Sequence, residues 1–304
     1  MMAEVSALLF EKIETSQHIT FFDGTLGGGS YTQDFLNIAD SQNIHLNQIS
    51  SDLDQTAIDR VQSYIQVPIS QNLKLIQGNF AKVINTFENQ SLDGIVLDLG
   101  YSGNQLAESS RGFSYLNPTE ELDLRYDINH GVSASDRLLK LKNHNDLGKL
   151  IYEYSGEDLA IKIARKFSEL KKRDTWTVQD MVDLVISAIP PTAMKKKNQI
   201  LSRVWQALRI WVNSEFESLS EFLPLALERL KPQGRLVVVS FHSLEDKIVT
   251  KFLRNKTKPT KEDMYGNKTY SYKLLTTKGQ FPSEAEVERN TRSRSAILRA
   301  IERL

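Results

Sequence analysis

The chain of 304 residues contains no cysteine. That absence excludes disulfides, thiolate metal sites and every mechanism built on a cysteine nucleophile. Net charge is missing too: 38 Lys and Arg balance 38 Asp and Glu, so no global field drives the protein onto nucleic acid or an anionic membrane. Any such binding has to rest on local patches. No apolar run approaches bilayer length, and the opening "MMAEVSALLFEKIE" carries Glu4 where a secretory leader would be basic. The expectation is a cytoplasmic protein with no membrane contact. There is no internal repeat, and an apolar content of 40% suffices for a sizeable core.

What is present begins with "ITFFD" (19 to 23), a β-rich apolar run that stops at Asp23 and breaks into Gly24, Gly27, Gly28 and Gly29. The next residues, "YTQDFLNIAD", have helical spacing. Three further units repeat the pattern: "IHLNQISSDLD", "LKLIQGNF" and "DGIVLDLG" are strand-like runs closing on acids or glycine. Together they predict a doubly wound, Rossmann-like α/β sheet. From 111 to 214 strand character disappears. Leu147, Leu150, Ile151 and Tyr154 share a helical face, as do Ala160, Ile163, Ala164 and Phe167, and "TVQD" (177 to 180) has the form of a capping box. This region reads as a helical insertion. A strand returns at "GRLVVVSF" (234 to 241) after the turn "KPQG", and "SLED" suggests a second capping box from Ser243. The lysine-rich stretch 256 to 290 encloses one edge strand near "YSYKLLTT", and "SAILRAIERL" is compatible with a last strand or a helix.

Ligands of open α/β sheets bind where the strands end. Those ends are Asp23 with its glycines, Asp52, Asn79 with Phe80, and Asp98 with Gly100. Three consecutive glycines at a helix amino terminus leave backbone amides for a carboxylate or phosphate, although the spacing departs from the GxGxxG dinucleotide fingerprint. Asp52 suits a carboxylate accepting ribose hydroxyls, whereas Asp54 caps the following helix. Phe80 offers a stacking face for an adenine. Asp98, an acid that would be costly to bury unpaired, is assigned to the active site. "SFHSLED" invites a hydrolytic triad of Ser243, His242 and an acid, but adjacent residues rarely face one another and the capping box accounts for Ser243 and Asp246; His242 is left facing the crevice. No metal site is expected.

"DGTLGGGSYT", "DGIVLDLGYSGNQL", "RGFSY" with "LDLRYD", "QALRIWVNSE", "GRLVVVSFHSLEDKIV" and "TRSRSAILRA" together resemble the bacterial ribosomal RNA small-subunit methyltransferase H (MraW) family over nearly the whole chain. The resemblance implies a class I, S-adenosylmethionine-dependent methyltransferase sheet with a helical insertion domain: residues 1–110 and 215–304 as the two parts of the methyltransferase domain, and 111–214 as a substrate-binding insertion. It implies methylation of the N4 amino group of a cytidine in the decoding region of 16S ribosomal RNA, with free RNA or the small ribosomal subunit as partner. A monomer and a homodimer are equally open. By position, the cofactor contacts fall on Gly29, Ser30, Tyr31, Asp52, Phe80, Asp98 and Gln105, and the amides of Gly27, Gly28 and Gly29 are read as holding the methionyl carboxylate. Arg111, Arg125 and His242 are candidate RNA contacts, and Asp98 is the candidate catalytic group. The family usually has histidine at Tyr31 and "VSSPQ" where this chain has "YSGNQ".

Amino-group methylation agrees with the missing cysteine, because methylation at carbon 5 of a pyrimidine usually proceeds through a cysteine adduct. Two rival readings are kept open by the residues alone: a nicotinamide-dependent dehydrogenase, disfavoured by the missing GxGxxG, and a non-catalytic RNA-binding or assembly protein on the same fold.

Overall fold

The computed structural model describes residues 1–100, 110–169, 174–262, 266 and 268–304. Two compact units emerge, one formed by Met1–Tyr101 with Phe216–Leu304 and the other by Ser102–Glu215.

The first unit is built on seven strands: β1 (His18–Asp23), β2 (His45–Asp52), β3 (Asn72–Gln77), β4 (Leu92–Asp98), β5 (Leu230–Ser240), β6 (Tyr272–Leu274) and β7 (Ile297–Arg303). Their order in the sheet is 3-2-1-4-5-7-6. Neighbours from β3 to β5 are parallel, and β7 runs antiparallel to β5 and β6. The final segment is therefore a strand. Because β1 connects outward to β2 while β4 lies on its other side, the order reverses between β1 and β4, where such sheets open their crevice.

Alternation within the apolar runs fills both faces of the sheet, as central parallel strands require. Phe22, Ile95, Leu97 and Val238 pack on one side with Phe222, Leu223 and Ala226 of α10 (Glu215–Arg229) and with Val249 and Leu253 of α11 (Ser243–Lys256). Phe21, Val96, Val237 and Val239 pack on the other with Phe35 and Leu36 of α2 (Ser30–Ser41) and with Val5 and Leu9 of α1 (Met2–Phe10). The opening apolar run is thus a core helix.

Two expectations are corrected. β5 starts at Leu230, before the "KPQG" turn: the register jumps from Leu92 opposite Leu230 to Gly94 opposite Arg235, with Gln233 at φ 66°. Gly234 is needed there, since a Cβ would lie 3.0 Å from the Leu92 carbonyl oxygen. The second correction concerns α11. Its N-cap is His242, not Ser243, and Glu245 completes the box. Asp246 instead forks onto Arg299 at 2.8 and 2.9 Å.

The second unit packs α5 (Ala134–Leu139), α6 (His144–Ser155), α7 (Ala160–Glu169), α8 (Val178–Ala188) and α9 (Lys197–Asn213) around Leu147, Ile151, Ile163, Met181, Val204 and Leu208. Thr177 and Asp180 form the expected capping box of α8. The Trp205 indole donates to the Gly112 carbonyl at 2.8 Å, tying the loop that precedes α5 to α9.

Candidate active site at the strand ends

The turn after β1 is shaped by its own glycines. Gly27 and Gly29 have φ of 51° and 69°, a region costly for residues with a Cβ. A Cβ on Gly29 would also stand 2.9 Å from Val61 Cγ1, whereas one on Gly28 would meet no atom within 4 Å. Two of these glycines are demanded by the fold, and the third faces open space. The expected row of uncovered amides needs correcting: Gly27 N–H donates to Asp52 Oδ2 at 2.8 Å and Gly29 N–H to the Leu26 carbonyl at 2.6 Å. What stays available is the first turn of α2, which has no side-chain cap because Gly29 stands at the N-cap. Ser30 opens that turn on the surface, and Tyr31 follows half-buried.

Three carboxyls gather behind the turn. Asp23 is fully buried, taking Thr25 N–H on Oδ1 at 3.1 Å and the Thr32 hydroxyl on Oδ2 at 2.9 Å. Asp52 takes Asp54 N–H on Oδ1 at 2.9 Å as well as Gly27. Asp98 presents its backbone N–H to Thr25 Oγ1 at 2.7 Å, and its Oδ1 is buried without a partner. Loss of water pushes Asp23 and Asp98 up to about 7, with repulsion from Asp52 adding to it at Asp23 and repulsion from Asp23 at Asp98, and raises Asp52 to about 6. Tyr31 neighbours Asp98; burial first, then the charges of Asp98 and Asp23, hold its phenol well above the ordinary range. The amino-terminal ammonium acts on Asp98 in the opposite direction, as does the hydrogen bond between Asp98 and Tyr31.

Asn79 caps the short helix α4 (Phe80–Val83) through Ala81 N–H at 2.8 Å and donates to Ser218 Oγ at 2.8 Å. That fixes Phe80, half-buried, edge-on to Phe222 with centroids 5.2 Å apart. Asp54 caps α3 (Gln55–Tyr64) as expected. Gln105 and the "YSGNQ" segment lie outside the described residues. His242 belongs to the same sheet end, beyond β5. In the second unit Arg111 spends its guanidinium on the Arg125 and Tyr126 carbonyls at 3.2 and 2.8 Å, and Arg125 forks onto Asp123 at 2.7 Å twice. Both arginines therefore carry internal contacts. The pattern in the chain gave no signal for Thr25 or Thr32, whose roles depend on strands brought together from distant segments, and the "SLED" spacing hid Glu245, which caps locally with His242. Among the described residues, no three His, Asp or Glu side chains group as a metal ion would require.

A family model, the MraW methylase family, matches residues 3–304. The chain belongs to the MraW methylase family. A "Ribosomal RNA small subunit methyltransferase H" from Syntrophotalea carbinolica is 35% identical over 293 residues, covering 93% of this chain and 91% of that one. The protein of the same name from Carboxydothermus hydrogenoformans is 34% identical over 305 residues, 96% of each chain. Among solved structures, an rRNA methylase from Streptococcus thermophilus aligns over 98% of this chain and 93% of its own at 10% identity and a TM-score of 0.42. In this family member the strand order 3-2-1-4-5-7-6 is the class I methyltransferase sheet.

Proposed function

We propose that this protein transfers a methyl group from S-adenosylmethionine to the N4 amino group of a cytidine in the decoding region of 16S ribosomal RNA, the substrate being the RNA or the small subunit. The observation that carries the cofactor is the acceptor-rich cluster: three desolvated carboxyls at adjoining strand ends, with Asp98 Oδ1 buried and unpartnered, and a glycine turn that leaves room over Gly28. Such a cluster suits a small cation that also carries donors, and S-adenosylmethionine has an ammonium, a sulfonium and ribose hydroxyls. Its carboxylate suits the uncapped first turn of α2 at Ser30 and Tyr31. Asp52 retains acceptor capacity for the ribose beyond its backbone donors, and Phe80 gives an apolar face for the adenine. When bound, the cofactor supplies an electrophilic methyl group.

The chain's own residues have to place and activate the amine. An exocyclic cytosine amine is a poor nucleophile because its lone pair is delocalised into the ring. An acceptor on its N–H lets nitrogen pyramidalise and receives the proton that nitrogen gives up as it gains the methyl; Asp98 Oδ1 is that acceptor. The target base has to leave its stack to reach a strand-end crevice, so splayed or single-stranded RNA is the form taken. Membership in a methylase family and relatives named for the small-subunit RNA support this reading over a dehydrogenase. The test is methyl transfer from labelled cofactor to undermodified small subunits, with the product nucleoside identified by mass. N4-methylcytidine formed by the wild type and abolished by Asp98→Ala is the expected result; a different methylated nucleoside, or none, overturns it.

A further inference from the structure

Among the described residues, the buried side-chain nitrogens and oxygens without a hydrogen-bond partner are Gln48 Oε1, Asp98 Oδ1 and His242 Nε2. Gln48 sits mid-strand in β2, away from the crevice. The other two belong to one sheet end: Asp98 closes β4, and His242 follows β5 by two residues. Pairing of Asp98 with Val239, and of Leu99 N–H with the Val239 carbonyl at 2.9 Å, keeps these ends side by side. Glu245, the partner of His242, lies near enough that its charge raises Asp98.

The histidine ring is held from behind. Its Nδ1 accepts Glu245 N–H at 3.4 Å, which assigns the ring proton to Nε2. Nε2 stands 2.8 Å from Glu245 Oε1 but off the line of a hydrogen bond, so the N–H is left for another acceptor. Glu245, itself 2% exposed, is anchored by Phe241 N–H at 2.9 Å and His242 N–H at 3.4 Å, and Phe216 lies against the imidazole at 5.7 Å. A fixed donor thus shares one sheet end with a fixed acceptor.

Cytosine presents the matching pair on its Watson–Crick edge: the N4 amine donates and N3 accepts. Uracil presents the reverse. We propose that His242 is a specificity-determining residue that donates its Nε2–H to N3 of the target cytosine while Asp98 Oδ1 takes an N4–H, with Glu245 as the positioning residue of the ring. The proposal rests on the cytosine-N4 reading above. With uracil, donor would face donor and acceptor would face acceptor in a buried place, the arrangement that discriminates most strongly between substrates.

The test uses small-subunit RNA fragments carrying cytidine or 3-deazacytidine at the target position; the analogue keeps the amine and replaces N3 by C–H. Binding is measured with S-adenosylhomocysteine present, and methyl transfer in single turnover. His242→Asn retains a helix-capping side chain and withdraws the ring N–H. The analogue is expected to cost the wild type roughly 10- to 100-fold in both readouts, His242→Asn to lose a similar factor on cytidine, and the two losses not to multiply. Unchanged thermal midpoint and S-adenosylmethionine affinity in His242→Asn would set the effect apart from capping. Wild-type performance of His242→Asn, or losses that multiply, overturns the proposal. If the variant does not fold, the wild type's own preference decides: equal binding of the two RNAs overturns it. If the wild type methylates neither RNA, the enzyme reading fails separately, and the binding ratio still decides the role of His242.

Discussion

Asp52 accepts the Gly27 amide on one oxygen at 2.8 Å and the Asp54 amide on the other at 2.9 Å. One carboxylate at the end of β2 therefore holds the glycine turn that follows β1 and the entry to α3. An amide in its place has a single acceptor oxygen, so Asp52→Asn leaves one backbone N–H without its partner. The variant is expected to fold and to bind S-adenosylmethionine roughly tenfold or more weakly. Calorimetry giving an unchanged Kd would refute the role.

The three raised carboxyls predict an inverted pH response in the ligand-free protein. Each binds its proton more tightly folded, at about 7, 6 and 7 for Asp23, Asp52 and Asp98, than unfolded, where the ordinary value is 3.8. Between those values the folded state carries more protons, so these groups lower stability as pH rises from about 4 and do so in full above about 7. Glu302, held low mainly by Lys12 and Arg235 against the effect of its burial, works the other way. The informative quantity is thus the difference between wild type and Asp23→Asn: urea midpoints should favour the variant increasingly from pH 5 to 8. A pH-independent difference would contradict the desolvated cluster.

Gly28 and Gly29 should separate stability from binding. Gly29→Ala puts a Cβ into Val61 at a φ of 69° and is expected to cost about 1–3 kcal/mol in chemical denaturation. Gly28→Ala meets nothing in the protein and should unfold with the wild type, yet weaken cofactor binding by filling the space over the turn. Equal cofactor affinity in Gly28→Ala would show that the ligand does not approach there.

A chain without net charge needs a local patch to bind RNA, and the exposed lysines outside the crevice are the candidate. Lys258 and Lys273 are exposed. If they meet phosphates, Lys258→Glu with Lys273→Glu should weaken RNA binding across sequences and reduce the slope of log K against log salt by about 2. An RNA affinity insensitive to salt would remove the assignment.

Much of the architecture was legible because buried parallel strands write themselves as apolar runs that stop abruptly. "ITFFD" and "DGIVLDLG" end where the strands end, and Asp54 and Thr177 cap helices as their local spacing says. Local signals misled where a neighbour in space outbid them. "SLED" has the form of a capping box, yet Glu245 reaches back to His242, while Asp246 is drawn away by Arg299 from β7. Likewise the glycine amides looked free until Asp52, twenty-five residues later, took one of them.

The sequence by itself determined the strand-turn-helix units, the helical character of the middle of the chain, the family, and the acids at three strand ends, because periodicity and chain-adjacent residues encode these locally. The tertiary structure alone decided which of those acids lie close enough to act on one another, that their protons are held near neutrality, and that a buried histidine nitrogen and a buried carboxyl oxygen, both without hydrogen-bond partners, share one sheet end. Those properties arise from desolvation and from contacts between β1, β2, β4 and β5, and no local pattern in the chain records which strand lies next to which.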